Sequence, residues 1–190
     1  MLDLIIGIGF LAYKMFNSNE ERAYSDFKRK RRELERTLEE HEENIRNHIE
    51  QAQASYDFHF LTDLHYSSMK VADAAYKTLG DAKIATDAIF RIIKELKEEK
   101  SKLEVNLEKE KLAKNKEAIK RIYDELKNIN QIRKEIYNEK DALVTQQKDF
   151  LEKVRSLNNQ TRRLKECIRD KCGSRGAEWY QKRLENRKNK

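Results

Sequence analysis

The side chains of this sequence best suited to metal or nucleophilic chemistry are its four histidines and two cysteines. His59 and His65 lie in HFLTDLH, with Asp57 and Asp63 close by. Ligands drawn from one helix stand three or four residues apart, which stacks them on one face; a spacing of six does not. These histidines therefore read as members of an aromatic core rather than as ligands. Cys167 and Cys172, in CIRDKC, lack the four-ligand complement of a zinc site and read as reduced thiols near a helix end. No Gly-rich phosphate loop, nucleophile motif or Cys–His arrangement is present. The many acidic residues belong to solvated helix faces rather than to a pocket. The sequence thus predicts no enzyme, with no catalytic, cofactor-binding or metal-binding residues.

The elements that carry these residues follow from composition. The chain has 190 residues, of which 39% are charged, with five Gly and no Pro. A chain so poor in turn formers and so rich in Glu, Lys, Leu, Arg and Ile predicts long helices. Disorder would share the high charge but would not space the apolar residues periodically. The expected class is all-α, with long helices forming a coiled coil or αα-hairpin, an N-terminal hydrophobic membrane-anchor helix and a short C-terminal basic helix.

Charge is distributed unevenly. From Arg162 to Lys190 eleven Lys or Arg face four acids, a surplus of seven that equals the whole net charge of +7. A basic end of this kind suits anionic lipid, nucleic acid or an acidic protein.

The opening run, MLDLIIGIGFLAYKMF, is apolar from Leu2 to Phe16 except for Asp3 and Lys14. As a helix it would span roughly 22 Å, against about 30 Å of hydrocarbon. It reads as a retained membrane anchor built on Leu4, Ile5, Ile6, Ile8, Phe10, Leu11 and Phe16. A cleaved signal peptide and an arm buried in a homo-oligomer are the competing readings. Lys28, Arg29, Lys30, Arg31 and Arg32 follow the run, which places the body in the cytoplasm under the positive-inside rule and gives anionic headgroups a second contact. The expected address is a bacterial inner membrane.

Past residues 1–17, the sequence divides into a helix over 18–79, a turn at 80–82, a long coiled-coil helix over 83–172 that could break near 113–116, and a tail over 173–190. The first seam runs Tyr24, Phe27, Arg31, Leu34, Leu38, His41, Ile45, His48, where the two histidines would loosen packing at mild acid. The clearest seam is Ile122, Ile129, Ile136, Leu143, Phe150, Leu157 and Leu164, apolar at every seventh residue. Between the seams, residues 52–96 form an aromatic head, and Leu79-Gly80-Asp81 is the expected hairpin tip, with Gly as stop and Asp as cap.

Gly173 and Gly176 introduce the tail, where Arg175, Trp179, Tyr180, Lys182, Arg183 and Arg187 form a basic amphipathic segment. Such a segment either recruits a partner or folds its aromatics back as a cap. Together these features describe a membrane-anchored, cytosol-facing scaffold or tether that self-associates through its seam and recruits a protein or nucleic acid through its tail. Its expected partners are membrane lipid, further copies of itself and the tail's ligand. The main alternative is an envelope protein with its rod outside the cytoplasm, similar to the inner-membrane subunit of a lysis spanin. The order of the charges opposes it, since they follow the apolar run. A nucleic-acid-binding coiled coil with an apolar oligomerisation arm is the third reading.

Overall fold

The computed structural model describes residues 17–50 and 58–188. Within them the chain is all-helical: α1 (Ser18–Glu50), α2 (Phe58–Leu112), α3 (Lys116–Lys171) and α4 (Gly173–Lys188).

Each helix end has a local cause. Asn17 caps α1: its Oδ1 accepts from the amides of Asn19 (3.1 Å) and Glu20 (3.0 Å), and Glu20 Oε2 accepts from the Asn17 amide (2.8 Å). This reciprocal capping box satisfies donors that the first helical turn cannot. At the far end of α2 the Asn115 amide reaches the Glu110 carbonyl and the Lys114 amide reaches that of Lys111, both at 3.1 Å. That pair of bonds closes a Schellman turn, with Lys114 in the left-handed region at φ 56°. Asn115 then caps α3 through the Ala118 amide.

The expected hairpin tip at Gly80 is corrected by these bounds. Gly80 lies inside α2, which runs unbroken through it, and the chain turns at Ala113–Asn115 instead. A helical glycine costs only about 1 kcal/mol. Here Ala72, Ala75, Ala82, Ala85 and Ala88 on either side are strong helix formers and are buried. Of the helix expected over 18–79, the described residues show α1 (Ser18–Glu50) and α2 from Phe58 onward, and residues 51–57 lie outside them.

The chain separates into two compact units. One gathers the described residues up to Asp26 with Asp81–Gln147; the other gathers Phe27–Gly80 with Lys148–Lys190. In the first unit Ala82, Ala85, Ala88, Ile89, Ile92 and Leu96 of α2 face Ile129, Ile136 and Leu143 of α3, all buried. Gln147 Nε2 donates to Thr86 Oγ1 (2.8 Å), and Glu20 of α1 pairs with Arg91 (2.7 Å). Tyr24 donates to Glu139, and burial first, then that carboxylate, hold its phenol far above its ordinary range.

In the second unit Phe27, Leu38 and Ile45 of α1, Leu61 of α2, and Phe150, Val154, Leu157, Leu164 and Ile168 of α3 are the fully buried apolar side chains. Phe27 meets Phe150 edge-on at 6.4 Å. Each such side chain contributes about 1.5–3 kcal/mol on burial. Six of the seven seam residues, Ile129 to Leu164, are therefore buried against helices of their own chain, and Ile122 is half-buried.

No helix among the described residues is long and apolar enough to cross a membrane. The expected placement, a membrane protein with a single N-terminal anchor and its body in the cytoplasm, is corrected accordingly. The residues named for that anchor, Leu4, Ile5, Ile6, Ile8, Phe10, Leu11 and Phe16, lie outside the described residues. The cluster Lys28–Arg32 belongs to α1, where Arg29 pairs with Glu33 (3.8 Å) and Arg31 with Glu35 (3.5 Å). The physical reason is charge: α1, α2 and α3 carry Lys, Arg, Asp or Glu throughout their length, at high cost in hydrocarbon.

Candidate functional site

The basic end of the chain is built around two glycines. Gly173 takes φ +63°, a conformation without penalty only where there is no Cβ. Gly176 is buried, and a Cβ there would stand 2.0 Å from the Ile168 carbonyl oxygen. The first turn of α4 can thus press on the last turn of α3 only because residue 176 has no side chain. The Cys172 amide bonds to Ile168 O (3.1 Å) and the Gly176 amide to Cys172 O (3.3 Å), completing the junction.

This junction lays the tail aromatics on the second unit. Trp179 Nε1 donates to Tyr66 Oη (3.2 Å), and its ring stands 5.0 Å from His65 and 6.4 Å from Tyr66. The Arg183 guanidinium lies over Tyr66 (5.1 Å) and Trp179 (5.6 Å), with Nη2 3.0 Å from Met69 Sδ. Tyr180 receives Lys165 (4.5 Å) and Arg169 (5.0 Å) over its ring. His65 is 3% exposed and, among the described residues, its Nδ1 has no hydrogen-bond partner. Burial foremost, then the charges of Arg183 and Lys165, lower its pKa to about 4, so the imidazole is neutral.

Of the six tail residues singled out by sequence, Trp179, Tyr180 and Arg183 hold α4 in place, whereas Arg175 and Lys182 are exposed. The Arg187 side chain lies outside the described residues. The histidines meet different fates. His65 is a core residue, His41 Nδ1 meets Ser68 Oγ at 3.1 Å, His48 stacks near Phe60 at 4.7 Å, and His59 is exposed. Cys167 and Cys172 are half-buried and form no disulfide among the described residues, and burial raises the pKa of Cys167.

One feature escaped sequence reasoning. Lys148, Arg155, Arg162 and Arg169 are all exposed and recur every seven residues on α3. That interval places them on one helix face, about 10.5 Å apart per step. The first three precede the seam residues Phe150, Leu157 and Leu164 by two positions, so counting sevens from Lys148 would have found the row. Arg169 is also held by Asp170 through bonds of 2.6 and 2.9 Å, which steady its guanidinium at the α4 end of the row.

No protein-family model, curated protein or solved structure matches this chain.

Proposed function

We propose that this protein is a non-catalytic helical scaffold that recruits an acidic helical segment of a partner protein through its basic C-terminal surface. The observation that carries the reading is the row Lys148, Arg155, Arg162 and Arg169. A partner helix with Glu or Asp at every seventh residue presents carboxylates at the same interval of about 10.5 Å. Successive phosphates on one strand of a nucleic acid lie closer together, so the row matches them less well. The docked Trp179 and Arg183 hold α4 in place, with Arg175 and Lys182 exposed on it. Arg155 and Arg162 suit such a role because a planar guanidinium fork grips a carboxylate with two parallel bonds, as that of Arg169 grips Asp170.

A fluorescent helical peptide with Glu at every seventh residue, titrated in parallel with a single-stranded oligonucleotide of similar charge, tests the reading. The peptide should bind, bind more weakly as salt rises, and be released by the double change Arg155→Glu and Arg162→Glu. Binding of the oligonucleotide alone would make nucleic acid the ligand. Binding of neither at moderate salt would leave the row as a solvated helix face and end the proposal.

A further inference from the structure

The heptad seam of α3 is buried within its own chain, so assembly with a second copy needs a different surface. In the first unit the outward face of α2 carries Lys83, Ile84, Asp87, Phe90, Lys94 and Glu98, all exposed. Phe90 is 52% and Ile84 48% exposed, large apolar side chains on the face opposite the buried Ala82, Ala85, Ala88, Ile89 and Ile92. Arg91, on the same face, is occupied by Glu20 and Glu95.

The charges on this face are complementary to themselves when reversed. If a second α2 lies antiparallel with the two-fold axis at Phe90–Arg91, position 83 faces 98 and position 87 faces 94. Lys83 then meets Glu98 and Asp87 meets Lys94, each pair twice by symmetry. Between positions 81 and 100 this register opposes no two like charges, and it sets Ile84 against the stem of Lys97. A parallel pairing in register would instead set Lys83 on Lys83 and Asp87 on Asp87. The Lys94–Glu98 ion pair within the helix, at 4.0 Å and well exposed, is weak enough to exchange for partners on another copy.

We infer that the outward face of α2 between Lys83 and Glu98 is a two-fold, antiparallel docking surface for a second copy of this chain. Phe90 and Ile84 supply the apolar centre, and the two kinds of charge pair fix direction and register. The inference stands apart from the basic surface of the second unit and survives if that surface binds nothing.

The test is a charge exchange in the full chain, read by sedimentation equilibrium across about a hundredfold range of concentration. The wild-type chain should form dimers as concentration rises. Asp87→Lys alone sets lysine against lysine, and Lys94→Asp alone sets aspartate against aspartate. Each should weaken self-association by roughly tenfold or more. An equimolar mixture of the two variants restores both opposite-charge pairs, and should associate as the wild type does. So should the double variant that carries both changes in one chain. A wild-type chain that stays monomeric throughout, an Asp87→Lys chain that dimerises as strongly as wild type, or a mixture and double variant that both stay monomeric would overturn the inference.

Discussion

Trp179 stands at right angles to His65, ring centre to ring centre 5.0 Å, and thereby closes the environment of a buried imidazole whose Nδ1 has no partner among the described residues. Three elements converge there: α2 supplies His65 and Tyr66, α3 supplies Lys165, and α4 supplies Trp179 and Arg183. Two of the charged neighbours are cations, so a proton on His65 meets both desolvation and repulsion.

The consequence is a stability that depends on pH in a defined window. The pKa of His65 falls from 6.5 in the unfolded chain to about 4 in the folded one. Above pH 6.5 both states are neutral at this residue and its packing contributes in full. As pH drops from 6.5 towards 4 only the unfolded state takes up the proton, so stability falls, by at most about 3 kcal/mol, and levels off below 4. Urea unfolding at several pH values should show this slope in the wild type and its loss in His65→Phe. An equal slope in both proteins would assign it to other groups.

Gly80 and Gly176 should respond to alanine in opposite directions. A Cβ at Gly80 meets nothing within 4 Å, and the residue is exposed in the middle of α2. Gly80→Ala should therefore raise stability by about 0.5–1 kcal/mol and increase the melting temperature. At Gly176 the added carbon would press on the Ile168 carbonyl, a backbone atom that cannot swing away. Gly176→Ala should free α4, seen as faster amide exchange over residues 173–188 while the rest of the chain keeps its protection. Normal protection of α4 in that variant would show the junction to be looser than described.

The contrast between these glycines also marks what the sequence could convey. Seven-residue periodicity located α3 and its buried side because one repeated choice, apolar every seventh residue from Ile129 to Leu164, is made again and again by the same packing. A single glycine carries no such repetition. Gly80 looks like a stop, yet the buried alanines flanking it outweigh its cost. Lys114 looks like any helical lysine, yet it takes the left-handed conformation that ends α2. The orientation of Trp179 was undecided in the sequence because a basic amphipathic helix fits a partner and its own bundle equally well. Only the approach of α4 to Ile168, permitted by Gly176, turns the aromatics inward.

Lys114 offers a direct measure of that turn. A residue with a Cβ in the left-handed region costs roughly 1–2 kcal/mol relative to glycine. Lys114→Gly keeps the Schellman bonds, which are made by backbone atoms, and should stabilise the chain by about 1 kcal/mol. Chemical denaturation of the two proteins decides it, and a loss of stability would mean that the Lys114 side chain contributes more than its strain costs.

Phe150 separates an intrachain seam from an interchain one. It is fully buried in the second unit against Phe27, on the register that would face another copy in a simple coiled coil. Truncating a buried phenylalanine removes its transfer free energy and leaves a cavity that neighbours fill only in part, so Phe150→Ala should cost about 3–5 kcal/mol. If the seam is closed by the chain's own helices, that cost is the same at every protein concentration. If the seam joined separate chains, diluting the variant would lower its stability further by mass action. Thermal unfolding of wild type and variant at two widely separated concentrations measures both quantities. A difference between the two proteins that grows on dilution would assign the seam to assembly rather than to folding.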